Sequence, residues 1–230
     1  MSDESTVAPA PTPAAIRIPV WDLPTRLVHW LFVLLVAGSW WTAETGRLEW
    51  HRWSGYVLLG LVLFRVYWGF AGGSTARFGN FVRGPRSIAS YLRGTWAAAA
   101  GHNPVGALSV LLLLGLLLLQ IGLGLFAVDV DGIESGPLSA WVSFKAGRAA
   151  AEWHEWVFNV LMTVILLHVL AALYYLFVKR QNLIGGMVTG SRSFSSPVAP
   201  LERAPWWRLV IGVVLSAALA WAISQGFQFA

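Results

Sequence analysis

The chain has 230 residues, of which 57% are hydrophobic and only 12% are charged, and its mean hydropathy is +0.62. A soluble domain of this length needs far more charged surface, so the composition excludes a soluble globular protein and indicates an integral membrane protein. The sequence contains no cysteine, which excludes iron–sulfur clusters, thioether-attached haem, thiolate zinc sites and disulfides. The net charge of +5 does not indicate nucleic-acid binding, because Lys and Arg gather in the cytoplasmic loops of membrane proteins.

The chain begins with a polar segment rich in Ala and Pro, so residues 1–16 are predicted to form a disordered tail. This segment lacks the positively charged start and short apolar core of a signal peptide. Five apolar stretches follow it, each near or above the roughly 17–25 residues that cross a bilayer as a helix. We predict membrane-spanning helices over about 25–41, 51–70, 104–128, 153–178 and 206–224.

The loops between these stretches differ in charge, which predicts the orientation. The loop after the second stretch contains Arg77, Arg83, Arg86 and Arg93 with no acidic residue, and the loop after the fourth is also basic. The acidic residues gather in the other loops: Glu44, Glu49, Asp129, Asp131, Glu134 and Glu152. The positive-inside rule therefore predicts a cytoplasmic N-terminus and a periplasmic C-terminus in a bacterial inner membrane. Residues 84–94 are predicted to form a short interfacial helix on the cytoplasmic face.

Four of the five histidines lie in or at the ends of predicted helices. His154 and His168 share the fourth helix, and their 14-residue separation is about 3.9 turns, a rise of roughly 21 Å and an offset of about 40°. Their side chains therefore point to the same side of that helix at two depths. His51 is level with His154 near the periplasmic end, and His29 is level with His168 toward the cytoplasmic end.

Two imidazoles at equal depth on facing helices can occupy both axial positions of one haem iron, which is typical of an electron-transfer centre. The alternative for any single histidine is a hydrogen-bonded contact between helices or a solvated position at the interface. Two level pairs favour haem ligation, because ionisable residues within membrane spans are costly and tend to be functional. We therefore predict that His29, His51, His154 and His168 hold two haems.

Other polar residues leave alternatives open. For His102, which precedes the third helix, a capping or surface role is favoured over quinone binding or orientation of a haem propionate. Arg26 and Arg65 lie at the cytoplasmic ends of the first two helices, where binding of a propionate and snorkelling to lipid phosphate are equally good interpretations. Glycines within the spans favour ordinary helix packing over close approach of a flat macrocycle. These glycines are Gly38, Gly55, Gly60, Gly115 and Gly122.

The motifs that carry these residues resemble those of the bacterial cytochrome b561 family, which includes the b-type subunits of nickel–iron hydrogenases. They are VWDLPTR at 20–26 leading to His29-Trp30, HRWSGY at 51–56, Arg65 with Trp68-Gly69, GHNP at 101–104, and the His154/His168 pair. The likeness covers about residues 17–185, and the fourteen-residue pair is also similar to that of formate dehydrogenase membrane subunits. The resemblance implies a four-helix diheme core, with His29 and His168 on one haem and His51 and His154 on the other.

The expected fold is thus an all-α integral membrane bundle with four regions. A tail at 1–16 precedes a diheme cytochrome b domain at 17–185, and a cytoplasmic linker at 186–205 leads to an additional transmembrane helix within 206–230. The four-helix core does not need this last helix, so we interpret it as a packing or partner-docking element.

The favoured function is transmembrane electron transfer by two haem b groups, without a catalytic side chain. The resemblance implies exchange between the quinone pool and a redox protein, such as a c-type cytochrome or a dehydrogenase or hydrogenase subunit. One alternative is a self-contained membrane oxidoreductase, for example a superoxide:quinone oxidoreductase, although an acidic periplasmic loop argues mildly against attracting an anion. Another is a transporter or scaffold without cofactor. Lipid and quinone are expected partners, nucleic acid is not, and homodimer formation is left open.

Overall fold

The computed structural model of the protein describes residues 16–96, 100–194 and 198–228. The tail predicted at 1–16 lies, apart from Ile16, outside the described residues. The elements in chain order are β1 (Ile16–Pro19), α1 (Leu23–Glu44), α2 (Leu48–Ala71), α3 (Phe78–Phe81), α4 (Pro85–Leu92), α5 (Pro104–Phe126), a short 3₁₀ helix (Ser139–Trp141), α6 (Phe144–Phe177), α7 (Leu183–Thr189), β2 (Ser191–Phe194) and α8 (Trp206–Ser224).

Five of these helices, α1, α2, α5, α6 and α8, are long and apolar enough to cross a membrane. This confirms the predicted all-α bundle with five spans, and the protein is a multi-pass membrane protein. The short helix α4 confirms the helix predicted within 84–94. It is amphipathic, as an element lying along the membrane surface should be.

Helix α6 is longer than the sequence indicated, because it begins at Phe144 instead of near residue 153. The Ser143 side chain accepts a hydrogen bond from the Ala146 N–H and so caps the helix start. At 1.5 Å per residue, its 34 residues extend about 50 Å, which exceeds a hydrocarbon core of roughly 30 Å. Its first turns therefore extend beyond the membrane, and their charged residues explain why hydropathy did not mark them.

The described loops lie at two ends of the bundle, which we call the N-terminal face (residues 16–22, 72–96, 100–103, 178–194 and 198–205) and the C-terminal face (residues 45–47, 127–143 and 225–228). At the N-terminal face, β1 pairs antiparallel with β2, with Ile16 opposite Phe194. The backbone N–H groups of Val20 and Trp21 both donate to the carbonyl of Gly190, at 2.8 and 3.0 Å. Segment 186–205, predicted to be a linker, thus includes a strand that ties the start of the chain to the α6–α8 connection.

The main bundle consists of two helical hairpins, α1 with α2 and α5 with α6, which meet where α2 packs on α5. Buried side chains of α2, α5 and α6, including Leu58, Val62, Ile121 and Leu161, form the core between them. Within the described part of the chain, α1 and α6 share no comparably extensive contact. Only 6% of the most apolar window of α6 is buried by protein. The helix that carries His154 and His168 therefore presents most of its surface to lipid and to the space between the hairpins.

The fifth spanning helix, α8, packs against α2 on the outside of the four-helix core. Its buried residues are small and recur every four positions: Gly212, Ser216 and Ala220. A Cβ added at Gly212 would lie 2.5 Å from the Tyr67 ring, so glycine is required for this close approach. Small residues at such spacing are typical of helix packing in membranes. The contacts agree with the packing role that the sequence suggested for this helix.

Candidate haem sites

The structure brings the four helical histidines together in two pairs. The ring centroids of His29 on α1 and His168 on α6 lie 6.5 Å apart. Those of His51 on α2 and His154 on α6 lie 6.0 Å apart. Two metal–imidazole bonds of roughly 2 Å each, with the half-widths of both rings added, place ring centres about 6 Å apart. Both pairs therefore have the separation that a single iron held between two imidazoles requires.

At the C-terminal-face pair, each imidazole has a partner on Nδ1. The Nδ1 atom of His51 lies 2.9 Å from the Ser39 carbonyl oxygen and 3.1 Å from the Ser39 hydroxyl. The Nδ1 atom of His154 lies 2.8 Å from the Gln120 carbonyl oxygen. A carbonyl only accepts hydrogen bonds, so each ring carries its proton on Nδ1 and keeps the Nε2 lone pair for a metal. This is the usual arrangement of a metal-binding histidine.

At the N-terminal-face pair, only one imidazole has such a partner. The Nδ1 atom of His168 lies 3.1 Å from the Ser109 hydroxyl. The Nδ1 atom of His29 is buried and has no hydrogen-bond partner among the described residues. Sequence reasoning missed Ser39, Ser109 and Gln120 as supporting groups. The hydroxyls of Ser39 and Ser109 are polar groups inside apolar spans and could have been noticed, whereas the partner at Gln120 is a backbone carbonyl, which no side chain signals.

Two glycines leave space beside the C-terminal-face pair. A Cβ at Gly124 on α5 would lie 3.0 Å from Cε1 of His154, so the absence of a side chain at this position makes room for the imidazole. Gly55 lies one turn beyond His51 on the same face of α2, and a Cβ there would meet nothing within 4 Å. The same holds for Gly38, Gly115 and Gly122. Of the five glycines singled out in the sequence, Gly60 alone would bring an added Cβ into contact with another helix, 3.6 Å from Ala220 Cβ. Helix packing therefore does not explain the other four.

Arg26 makes contacts that neither sequence interpretation described. Its Nε donates to the Met187 carbonyl at 3.3 Å, and its Nη2 donates to the Val188 carbonyl. These are carbonyls of the last turn of α7, where a cation interacts favourably with the helix dipole. Arg26 thereby docks α7 on α1, and a haem-binding role for it stays a prediction.

Arg65 is buried inside the protein, with only 6% of its surface exposed, so it does not snorkel to lipid phosphate as one interpretation held. Its guanidinium lies over the Phe78 ring, with Cζ 5.2 Å from the centroid. Its Nη1 is buried and has no hydrogen-bond partner among the described residues. The burial argues against snorkelling, and the binding of a haem propionate by Arg65 stays a prediction.

His102 is not the cap of α5, and its side chain is half-buried, so the favoured interpretation as a capping or surface residue is not confirmed. The N-cap of α5 is Asn103, whose Oδ1 accepts the Gly106 N–H at 2.7 Å. The His102 ring lies between those of Trp21 and Phe81, with both centroid distances 4.6 Å. Its Nδ1 is buried without a partner in the described part of the chain. Burial, reinforced by nearby Arg65, lowers the pKa of His102 to about 3, so the imidazole is neutral.

A polar network lies beside these residues at the N-terminal face. The hydroxyls of Tyr91 on α4 and Tyr175 on α6 are hydrogen-bonded to each other. The Asn103 amide donates to both of them, at 3.0 and 3.1 Å. Burial, together with the hydrogen bond to Tyr175, raises the pKa of the Tyr91 hydroxyl above its usual value. The network joins the surface helix α4 to the ends of α5 and α6.

A spanning helical bundle with two level pairs of histidines defines a helical membrane cytochrome of the b type. A profile of the family described as prokaryotic cytochrome b561 matches residues 20–190. The chain belongs to this family, which confirms the resemblance of its motifs. Cytochromes of the b type use haem b, held without covalent attachment, and this agrees with the absence of cysteine from the sequence.

Two curated relatives carry a more specific description. Each is named a probable Ni/Fe-hydrogenase B-type cytochrome subunit, one from Azotobacter chroococcum mcd 1 and one from Azotobacter vinelandii. The chain is 28% identical to the first over 213 residues and 28% identical to the second over 211 residues. Each alignment covers 76% of this chain and 88% of the relative. No solved structure gives a significant match.

Proposed function

We propose that the protein holds two haem b groups, one between His29 and His168 and one between His51 and His154. In this proposal it transfers electrons across the membrane between the quinone pool and a redox protein. The observation that carries the proposal is the spacing of the two ring pairs, 6.5 and 6.0 Å, at two depths along one helix.

Bound haem b would supply an iron that changes reversibly between the ferric and ferrous states. His29 with His168, and His51 with His154, would hold the iron of each group through imidazole nitrogens, a ligand set typical of electron transfer. The carbonyls of Ser39 and Gln120 and the hydroxyl of Ser109 orient three of the rings. The apolar helices exclude water, which helps to set the reduction potentials.

The two sites divide the path across the membrane. His154 and His168 are separated by 14 residues of α6, a rise of roughly 21 Å. A single redox centre would leave most of a hydrocarbon layer of roughly 30 Å to cross in one step. Two centres, one toward each face, shorten each transfer.

The charges of the loops support an orientation for this electron path. In the described N-terminal-face loops, arginines such as Arg83, Arg86 and Arg93 outnumber acidic residues, so this face is proposed to be cytoplasmic. The C-terminus is then periplasmic in a bacterial inner membrane. The names of the Azotobacter relatives support a hydrogenase-type oxidoreductase as the protein partner, and a c-type cytochrome is the other candidate.

A second candidate function is that of a self-contained superoxide:quinone oxidoreductase. It is favoured by an open cavity of about 560 Å³ at the C-terminal face, lined by Arg47 and Arg52 near the start of α2. Arg52 is paired there with Glu134, and Arg47 lies in the same lining as Glu49, so Arg47 is the cation that this candidate function would need to attract an anion. Purified protein that reduces quinone with superoxide, and without a protein partner, would favour this candidate. An Arg47→Glu variant should then lose most of that rate.

The main proposal is tested by a redox titration of the visible spectrum. The wild type should show a Soret band, reduced b-type bands and two midpoint potentials. His168→Ala and His154→Ala should each lose a different haem, whereas Asn159→Ala, an exposed position between them on α6, should keep both. A wild type without a Soret band would end the proposal. Loss of the same haem in both histidine variants would contradict the pairing.

A further inference from the structure

Two buried donors at the N-terminal face lack partners, and they lie in the same region as one histidine pair. We propose that Arg65 and His102 together form a carboxylate-binding site, and that it holds a propionate of the haem ligated by His29 and His168. This inference rests on the proposed function, because it assumes that a haem occupies that pair. In this proposal His102 positions the propionate, and the two haems differ in the groups that surround their propionates.

The first observation is an uncompensated buried cation. Arg65 is 6% exposed, and none of its nitrogens makes a hydrogen bond or an ion pair within the described part of the chain. Its only cation contact there is the Phe78 ring. A buried charge without a partner is strongly destabilising, so such an arrangement requires an anion. A planar guanidinium fork matches a carboxylate in particular.

Asp22 is the acid whose charge acts on Arg65, but no hydrogen bond or ion pair joins the two side chains in the described part of the chain. Both oxygens of Asp22 instead accept hydrogen bonds from other groups. Its Oδ1 accepts the Thr25 N–H at 3.0 Å, where it caps α1, and its Oδ2 accepts the Trp68 indole N–H at 2.9 Å. Asp22 therefore stabilises the start of α1 and leaves the Arg65 fork free for another carboxylate.

The second observation is the imidazole of His102, which is fixed and unsatisfied. Trp21 and Phe81 hold its ring from two sides, at 4.6 Å each, and its buried Nδ1 has no partner among the described residues. Because burial keeps this imidazole neutral, it carries one N–H and can donate to a carboxylate without adding a charge. The Arg65 guanidinium and the His102 N–H together could donate hydrogen bonds to both oxygens of one carboxylate.

The third observation places these donors beside one histidine pair only. The Arg65 guanidinium lies over the Phe78 ring, and Phe78 lies 5.7 Å from Phe81, whose ring is 4.6 Å from that of His102. Arg65, His168 and His29 also lower the pKa of His102, which agrees with one shared region of the N-terminal face. At the other pair, the nearby Arg52 is already paired with Glu134, and its side chain is 37% exposed. Haem b carries two propionates, and only the haem at the N-terminal face would meet a buried and unpaired guanidinium.

The test measures the potential of each haem and the resonance Raman bands of the propionates in the purified holoprotein. Arg65→Met should lower the midpoint potential of the haem that His168→Ala removes, because an uncompensated carboxylate favours the ferric state. Arg65→Lys keeps the charge and should give a smaller shift. The haem that His154→Ala removes should keep its potential in both variants. Arg86→Met, which removes an exposed charge from the same face, is the control and should change neither potential.

The His102 variants test the second donor separately. His102→Ala should shift a propionate-bending band and lower the same potential, whereas His102→Asn retains an N–H near the Nδ1 position and should restore both. If Arg65→Met does not assemble, Arg65→Lys and the two His102 variants decide the question.

Several outcomes would overturn the inference while leaving the electron-transfer proposal intact. Unchanged potentials and Raman bands in Arg65→Met and His102→Ala, with both haems present, would do so. So would a shift confined to the haem at the C-terminal face, or a wild-type potential that follows the concentration of added phosphate, which would indicate a free anion. Loss of the low-spin spectrum in His102→Ala would instead make His102 a ligand. Failure of the proposed function is distinct, because the wild type itself would then lack haem.

Discussion

The imidazole of His154 is held on α5 from two directions, with its Nδ1 2.8 Å from the Gln120 carbonyl oxygen and its ring against the bare backbone of Gly124. The acceptor is a backbone carbonyl fixed by the helix, so rotation of the Gln120 side chain cannot release this hydrogen bond. The ring orientation at the C-terminal-face pair is therefore determined by the packing of α6 on α5 more than by any neighbouring side chain.

Gly124→Leu should displace the His154 ring and remove one of the two haems. A Cβ at this position already lies 3.0 Å from Cε1 of the imidazole, so a larger side chain leaves no room for the ring. The haem content of the purified protein, measured from the Soret band, should fall to about half. Leu118→Ala, at an exposed position on the same helix, is the control and should keep both haems. Full haem content in Gly124→Leu would contradict the seating of His154.

Ser109→Ala should raise the midpoint potential of the haem at the N-terminal face. The Ser109 hydroxyl lies 3.1 Å from Nδ1 of His168, and an acceptor there makes the imidazole a stronger donor to iron, which favours the ferric state. A hydrogen bond worth about 0.5–1.5 kcal/mol corresponds to roughly 20–60 mV for one electron. Thr163→Ala, which removes a hydroxyl bonded only within α6, should leave both potentials unchanged. A shift of the other haem would indicate that the pairs are assigned wrongly.

Tyr91→Phe should destabilise the protein near neutral pH by about 1 kcal/mol, the typical value of one hydrogen bond. The Tyr91 hydroxyl joins α4 to Tyr175 and Asn103, and thermal unfolding in detergent would measure the loss of this contact.

The pKa of Tyr91 is raised in the folded state, so above about pH 10 the unfolded chain releases this proton more readily. The wild type should therefore lose stability relative to Tyr91→Phe as the pH rises through that range. Tyr174→Phe, at an exposed position, is the control for the first effect and should leave the stability near neutral pH unchanged.

Removal of residues 206–230 should leave both haems in place. Helix α8 packs on α2 through Gly212, Ser216 and Ala220, and none of its described contacts involves the four histidines. The truncated protein should show the wild-type spectrum and both potentials, with a lower midpoint temperature of unfolding. Gly212→Leu should reproduce part of that destabilisation, whereas Val213→Leu on the exposed side should not. Loss of a haem on truncation would mean that α8 supports the core directly.

Hydropathy was sufficient to predict the five spans, and the helical repeat was sufficient to place the two α6 histidines on one side of the helix at two depths. The helical repeat relates His154 to His168 without any knowledge of neighbouring helices, and hydropathy marks α8 with the ends that the structure shows. Hydropathy placed the start of α6 too late, because Lys145, Arg148 and Glu152 make its first turns polar while Ser143 still caps them.

Contacts between residues distant in sequence could not be predicted in this way. His102 looks like a loop residue until Trp21 and Phe81 close over it. The interaction of Arg26 with α7 depends on a chain reversal about 160 residues later. Propensity and spacing describe local structure, whereas these contacts depend on how the hairpins and the N-terminal-face loops meet.

Because both α6 histidines belong to one uninterrupted helix, the tolerance of this protein to insertions and deletions should be uneven. A single residue added or removed between His154 and His168 would turn one imidazole by about 100° relative to the other and shift it by roughly 1.5 Å. One site could then assemble only at the expense of the other. Changes of length in the loop before α6 carry no such penalty, since they leave the interval between the two imidazoles intact. Relatives that keep both redox centres should therefore vary in the length of that loop but not in this interval.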